Sequence, residues 1–232
     1  MEIPTYLAMS PGELASGCPS DSLPAWMACH FSSTGQGLTN LPDSLPEGAM
    51  LILDDSVPMT VQEPDQILQQ LADCAEAFRC SGVLLDFQRP VSPALAGLTE
   101  LLTEALPCPA AVSEPYAAGL SCPVFVSAPP AHVPLAAHLA PWQGRELWLE
   151  LAPAPETATV TENGTVFTPL AALPREEAFG AAPDCHYRLA QTGDSAVFTI
   201  FRNGEDLAGL LREAQTLGVT RAVGLWQELR NL

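Results

Sequence analysis

The stretch Ser81-Gly-Val-Leu-Leu-Asp-Phe-Gln88 carries the clearest structural signal in the chain. It begins with an apolar run that lacks polar alternation, which is typical of a strand covered on both faces of a parallel sheet. Polar side chains come only near its end, at Asp86 and Gln88. Because side chains alternate along a strand, these two lie on the same face. We therefore predict a buried strand over Gly82–Phe87, followed by a polar pair at its carboxyl end.

Similar short apolar runs, bounded by Pro, Gly and Ser, recur along the whole chain and predict seven further strands. They are Thr5–Met9, Ala25–Phe31, Met50–Leu53, Ala110–Ser113, Pro123–Ser127, Leu147–Leu151 and Ala222–Trp226. Helical spacing of apolar residues predicts helices over Pro64–Phe78, from Pro93 to Leu106 after a cap at Ser92, and over Glu205–Leu217. The order strand, helix, strand in these segments is typical of βαβ units.

Eight strands with intervening helices predict an α/β fold, a compact (β/α)8 barrel of the TIM type. The chain has 232 residues, fewer than the typical barrel of about 250, so its connections must be trimmed. Residues 32–49 and 114–122 fit this, because they are rich in Gly, Pro or Ser and show no amphipathic helix. Two β-hairpins are predicted around Glu162-Asn163-Gly164 and Gly193-Asp194. We expect one barrel domain over 1–232, with a β-rich insertion at 153–204 before the last helix and strand.

Composition excludes several classes of function. The chain has 27 Asp and Glu against 9 cationic residues, all of them Arg, and a net charge of -18. Without lysine there is no Schiff-base chemistry and no P-loop or kinase lysine. The acidic balance predicts that neither nucleic acid nor an anionic membrane is a partner. No metal site is predicted, because histidine and cysteine spacings fit none, and no cofactor is expected.

Location and assembly follow less directly from the sequence. The amino-terminal residues lack a basic region and a long apolar run, and no stretch is long enough for a membrane span. The seven cysteines include no CxxC pair. These features predict a cytoplasmic protein, unless a leader has been removed, and leave the oligomeric state open.

The Ser81–Gln88 stretch resembles the fourth-strand signature D-G-x-D-x-D-x-E of the chitinase-like glycoside hydrolase family 18. Gly82 matches its glycine, Asp86 its last aspartate, and Gln88 stands where the family has its catalytic glutamate. Ser81 and Leu84 replace the two earlier aspartates. The final segment Val219–Trp226 is similar to the family's eighth strand, and Trp226 matches a tryptophan that forms the floor of the sugar subsite.

The resemblance implies a substrate-assisted mechanism, in which the terminal glutamate protonates the glycosidic oxygen and the sugar's N-acetyl group attacks the anomeric carbon. The preceding aspartate orients that group. A glutamine has no proton to donate in the useful pH range. We therefore expect a degenerate barrel, or pseudoenzyme, that binds an N-acetylglucosamine-type glycan at the carboxyl-terminal mouth, with weak or no hydrolysis.

Other residues near strand ends complete the predicted site. The catalytic candidates are Asp86, Gln88 and Glu114, and the substrate-binding candidates are Asp54, Asp55, Arg89, Tyr116 and Trp226. These positions qualify because residues at the carboxyl ends of barrel strands line the active-site mouth.

Each of these assignments has an alternative. Asp54 and Asp55 could form a turn or a cap, and Arg89 could pair with Asp86 or Asp54, contact an acidic sugar or face solvent. Glu150, between Leu149 and Leu151, either faces the mouth or pairs with an arginine. Two other functions stay open. One is an active glycoside hydrolase that uses Asp86, Glu114 or Asp54, and the other is a non-catalytic interaction domain.

Overall fold

Fourteen strands form in the part of the chain that the computed structural model describes, which is residues 2–20, 22–57, 61–172, 180–182, 185–192 and 195–230. The first eight are β1 (Thr5–Met9), β2 (Leu23–Phe31), β3 (Leu38–Thr39), β4 (Met50–Asp54), β5 (Gly82–Asp86), β6 (Ala110–Ser113), β7 (Val124–Val126) and β8 (Leu147–Glu150). The other six are β9 (Glu156–Thr161), β10 (Gly164–Pro169), β11 (Gly180–Ala182), β12 (Cys185–Thr192), β13 (Ser195–Phe201) and β14 (Val219–Leu225).

Eight of these strands close into a parallel barrel. Its order is β1, β2, β4, β5, β6, β7, β8 and β14, and β14 pairs with β1 to complete the ring. The short strand β3 adds to β2 in the antiparallel direction. The predicted (β/α)8 barrel is therefore confirmed, and each predicted strand lies at one of its eight positions with small differences at the ends.

The helices are α1 (Pro11–Ala15), α2 (Pro64–Ala77), α3 (Pro93–Ala105), α4 (Leu135–Leu139), α5 (Gly204–Thr216) and α6 (Trp226–Leu229). Three of them confirm the predicted helices. The side chain of Ser92 accepts the backbone N–H of Leu95 at the start of α3. Asn203 caps α5, and Gly218 follows that helix with a φ of 86°, a backbone conformation that suits glycine. The shortened connections are also present, since 114–116 forms only a 3-10 turn.

The inside of the barrel is packed with side chains from alternating strand positions. These are Tyr6, Ala8, Ala25, Met50, Ile52, Leu84, Ala111, Phe125, Trp148 and Val223. At the amino-terminal end, the guanidinium of Arg221 lies 4.5 Å from the ring centre of Trp148 and donates a 2.8 Å hydrogen bond to the carbonyl of Ser81. Toward the carboxyl ends the apolar column stops, and β4, β5 and β8 end in Asp54, Asp86 and Glu150.

Strands β9 to β13 form a separate antiparallel sheet in the order β10, β9, β13, β12, β11. Both predicted hairpin pairings are present, although the turn residues Gly193 and Asp194 lie outside the described residues. Strand β11 was not predicted. The assignment of 153–204 as an insertion within one domain stays a prediction.

The second sheet is attached to the loop after β7. The ring of His132 stacks on Phe167 with centroids 3.6 Å apart, and its Nδ1 lies 2.8 Å from the buried carboxylate of Glu156. The buried guanidinium of Arg202 donates to the carbonyls of Pro129 and Pro130. No helix in the described part of the chain has the length and apolar character to cross a bilayer.

Candidate functional site

The carboxyl-terminal mouth of the barrel holds a cavity of about 480 Å³. Most of the residues that line it are polar, and they lie on β5, β6, β7 and β8 or on the loops that follow these strands. The lining residues are Asp86, Gln88, Ser113, Glu114, Pro115, Phe125, Ser127 and Glu150. A smaller space of about 100 Å³ is lined by Asp54, among others, and shares Asp86, Phe125 and Glu150 with the first cavity. The three predicted catalytic positions thus lie around one cavity.

Asp86 and Gln88 lie side by side at the end of β5, as the alternation along this strand predicts. The side-chain amide of Gln88 donates a short hydrogen bond of 2.5 Å to Oδ1 of Asp86. Burial raises the pKa of Asp86, the Gln88 hydrogen bond partly opposes this, and the carboxylates of Asp54 and Asp55 raise it further. Asp86 is therefore a desolvated carboxyl group held by an amide, a pair that can orient polar groups of a ligand.

Glu150 is the second desolvated carboxyl group of the cavity. Its Oε2 accepts a 2.8 Å hydrogen bond from the backbone N–H of Ala128. Burial raises the pKa of Glu150 despite that bond, and the charges of Asp86, Glu228 and Glu114 add to the rise. The sequence alone left its orientation open, and the structure shows that it faces the mouth. The sequence could have indicated this orientation. Trp148 lies two residues earlier, and alternation along β8 places both side chains on the same face.

Glu114 lines the cavity, but other residues hold both of its carboxylate oxygens. Oε2 accepts hydrogen bonds from the backbone N–H of Ser127 at 3.2 Å and from its hydroxyl at 2.8 Å. Oε1 accepts the indole N–H of Trp142 at 2.9 Å. This carboxylate therefore ties the end of β6 to the end of β7. Trp142 contacts the site through Glu114.

Asp55 and Arg89 join the loops after β4 and β5. The buried carboxylate of Asp55 accepts the backbone N–H groups of Gln88 and Arg89, both at 2.9 Å. The guanidinium of Arg89 donates to the carbonyls of Asp55 and Ser56 at 2.6 and 2.9 Å, and not to Asp86 or Asp54. Both side chains thus make loop contacts, and neither is among the residues that line the mouth cavity.

Asp54 lies at the edge of the site, next to His30. Its Oδ2 lies 2.9 Å from Nδ1 of His30 in a contact that lacks hydrogen-bond geometry, and its Oδ1 accepts the backbone N–H of Ser56 at 2.9 Å. Because β4 pairs with β5 in register, Asp54 is the direct neighbour of Asp86. Its charge acts on Asp86, while Ser56 binds its Oδ1 and its Oδ2 lies against His30.

The two predicted aromatic contacts lie away from the cavity lining. Tyr116 is buried, its ring meets Phe87 edge to face at 5.6 Å, and its hydroxyl donates toward the carbonyls of Arg89 and Pro90 at 3.3 Å. Trp226 is the first residue of α6, and the smaller space is lined by its neighbour Leu225. The chain passes directly from β14 into α6 at Trp226, which the sequence pattern did not predict.

We expect Glu150→Gln to stabilise the fold near neutral pH. A raised pKa means that the folded protein binds this proton more tightly than the unfolded chain. The wild type therefore loses stability as pH rises above the ordinary glutamate range, and the amide variant does not. Urea unfolding should show the variant more stable by about 1 kcal/mol at about pH 8 and equal to the wild type at about pH 4.

The exposed Glu100→Gln in α3 is the matched control for this comparison and should change stability by less than about 0.5 kcal/mol at either pH. A Glu150→Gln variant that is less stable than the wild type near pH 8 would contradict the prediction.

Across the described ranges, no three His, Cys, Asp or Glu side chains are grouped to hold a metal ion. The polar groups that line the mouth cavity are the carboxyl groups of Asp86, Glu114 and Glu150, the amide of Gln88 and two serine hydroxyls.

Comparison with known proteins identifies the fold. No protein-family model and no curated protein matches the sequence. Solved structures do match. They include a GH18 chitinase from Cycas revoluta bound to (GlcNAc)3, with 13% identity, 95% of this chain and 94% of that chain covered, and a TM-score of 0.58.

A chitinase from Chromobacterium violaceum matches with 12% identity over 98% of this chain and 95% of that one, at a TM-score of 0.55. The Bacillus cereus spore cortex-lytic enzyme SleL matches with 8% identity, covering 97% and 71%, at a TM-score of 0.54. The chain therefore has a TIM barrel like those of GH18 chitinases and of a spore cortex-lytic enzyme.

Proposed function

We propose that this barrel binds a glycan that contains N-acetylglucosamine at its carboxyl-terminal mouth and hydrolyses it weakly or not at all. The observation that carries the proposal is the cavity lined by Asp86, Gln88 and Glu150 in a fold shared with chitinases. The proposal includes the loss of the catalytic acid at position 88, where this chain has Gln88 in place of a glutamate.

The composition of the cavity suits a neutral sugar. Carboxylate and amide oxygens accept hydrogen bonds from sugar hydroxyls and from an acetamido N–H, and the serine hydroxyls can donate or accept. Phe125 adds an apolar surface for the C–H face of a ring. Its size of about 480 Å³ is within the usual range of small-molecule sites.

A glutamate-to-glutamine substitution is compatible with oligosaccharide binding in a protein of similar fold. A doubly substituted variant of the Cycas revoluta chitinase, in which one glutamate is replaced by glutamine, is bound to (GlcNAc)4. The same enzyme is also bound to allosamidin. By analogy, we propose that replacing a glutamate by glutamine at position 88 leaves sugar binding possible while it removes an acid.

The alternative of an active hydrolase based on Glu114 or Asp54 has less support. Ser127 and Trp142 bind both oxygens of Glu114. Ser56 binds one oxygen of Asp54, and His30 lies against the other. A group that must deliver a proton to a substrate needs an oxygen within reach of it.

Calorimetric titration with N-acetylglucosamine oligomers tests the proposal, with product release followed in the same samples by chromatography. The wild type should bind. Asp86→Ala should weaken binding by about tenfold or more, because a hydrogen bond to a charged group contributes about 1.5–3 kcal/mol.

Asp65→Ala, which removes an exposed carboxylate from the first turn of α2, is the matched control and should bind like the wild type. If the folded wild type binds no oligomer, the proposal is wrong and a non-carbohydrate function is favoured.

A further inference from the structure

The carboxyl groups in and around the mouth differ in how many of their oxygens contact other parts of the protein. Glu114 and Asp55 each accept hydrogen bonds on both oxygens, and Asp54 accepts one from Ser56 on Oδ1 while its Oδ2 lies against His30. These three groups fasten the ends of β4 and β6 to their neighbours. Their oxygens would have to give up protein contacts before they could serve a ligand.

In two carboxyl groups, one of the two oxygens accepts no hydrogen bond from the described residues. Among the described residues, Asp86 accepts a hydrogen bond only on Oδ1 and Glu150 only on Oε2. Both residues line the larger cavity and the smaller space below it. The oxygens Oδ2 of Asp86 and Oε1 of Glu150 are therefore the carboxyl atoms best placed to reach a ligand.

Asp86 and Glu150 lie on different sides of the mouth cavity. Strands β6 and β7 separate β5, which carries Asp86, from β8, which carries Glu150, and Phe125 of β7 lies between them. A sugar ring placed on Phe125 has Asp86 on one side and Glu150 on the other. Asp86 is already paired with the amide of Gln88, so the two walls offer different chemistry.

We propose that Glu150 is the proton donor of this mouth, a catalytic acid on the seventh barrel strand that supports the residual hydrolysis of a bound glycan. This inference rests on the proposed function, because it requires an N-acetylglucosamine oligomer to occupy the cavity. In this proposal β8 supplies the proton donor, because the residue at position 88 is a glutamine and has no ionisable group.

Each step of the reaction balances. The carboxyl proton of Glu150 passes to the glycosidic oxygen as the bond from that oxygen to the anomeric carbon breaks. The acetamido oxygen of the same sugar bonds to that carbon, with its N–H held by Asp86. Water then attacks the anomeric carbon, the bond to the acetamido oxygen breaks, and a water proton returns to Glu150. The products are two sugars, and no oxidant or reductant is needed.

The surroundings of Glu150 favour the protonated form that the first step needs. The titratable groups that act on it are Asp86, Glu114 and Glu228, all acidic, and the pKa of Glu150 is raised by burial and by these charges. An acid whose pKa is raised toward the working pH is suited to general acid catalysis. The Ala128 N–H holds Oε2, and Oε1 of this cavity-lining residue accepts no hydrogen bond from the described residues.

The inference is tested by measuring turnover of a fluorogenic N-acetylglucosamine trimer. The wild type is compared with three variants, Glu150→Gln, Glu150→Asp and Glu104→Gln. The wild type should release product slowly. Glu150→Gln should lower kcat by about 10²-fold or more, while the dissociation constant of the unlabelled oligomer changes by less than about twofold.

Two further variants complete the comparison. Glu150→Asp should retain part of the activity and shift the alkaline limb of the pH profile. Glu104→Gln, an exposed change at the end of α3, should behave like the wild type.

The outcomes separate the inference from the proposed function. If no oligomer binds to the folded wild type, both fail. If oligomers bind but the wild type shows no turnover, or if Glu150→Gln turns over as fast as the wild type, the role of Glu150 is wrong and glycan binding stands.

Discussion

Replacing Gln88 by glutamate is expected to accelerate hydrolysis of N-acetylglucosamine oligomers by roughly 10²- to 10⁴-fold, the usual contribution of a positioned general acid. The side chain at position 88 lines the cavity and already contacts Asp86 through the Gln88 amide. A glutamate there would lie against a desolvated carboxyl group. Since two adjacent carboxylates share a proton readily, the new residue would hold the proton that hydrolysis requires.

The effect of Gln88→Glu is checked by steady-state kinetics on the fluorogenic trimer, with oligomer binding measured in parallel. Gln88→Ala, which provides no acid, should not accelerate the reaction. In the double variant with Glu150→Gln, most of the gain should persist, because the new acid acts in place of Glu150. Unchanged turnover of Gln88→Glu with binding intact would contradict the assignment of position 88.

Trp148→Ala is expected to cost about 3–5 kcal/mol of unfolding free energy, the range for removing a large buried aromatic side chain. Trp148 is completely buried in the interior of the barrel, where the guanidinium of Arg221 lies over its ring. Its ring also fills the space at Gly82, where an added Cβ would come within 2.7 Å of it. The truncation therefore leaves a gap in the amino-terminal part of the barrel interior and deprives the guanidinium of Arg221 of its aromatic partner.

Urea denaturation followed by circular dichroism measures this loss. Trp148→Phe keeps an aromatic ring for Arg221 and should cost clearly less than the alanine variant. Trp226→Ala is a control for removing the same kind of side chain from a half-buried position at the barrel rim, and it should also cost less. A loss below about 1 kcal/mol for Trp148→Ala would show that the barrel interior relaxes around the gap, contrary to expectation.

The barrel could be predicted because its strands are short, apolar and separated by clear breaks. The predicted limits of β1 and β6 agree with the structure. Strand β14 begins three residues earlier than predicted, at Val219, and so includes Arg221. Its charge is accommodated by Trp148 and by the carbonyl of Ser81, contacts that no local pattern reveals. The short α1, β3 and β11 carry too few residues for a periodic signal.

The site was predictable only where it depends on the alternation of a single strand. Asp86 and Gln88 follow from that rule, and Glu150 would have followed from the same rule applied to β8. Asp55 and Arg89 could not be placed in this way, because their contacts depend on the loop after β5 folding back toward that after β4. The helical turn that begins at Trp226 also depends on tertiary packing.

The buried carboxylate of Asp55 has a consequence for how position 88 can vary. It holds the backbone N–H groups of residues 88 and 89, so the path of the main chain there does not depend on which side chain position 88 carries. The identity of that residue can change while the loop keeps its shape. Gain and loss of an acid at this position are therefore expected to be single-substitution events that need no compensating change elsewhere in the barrel.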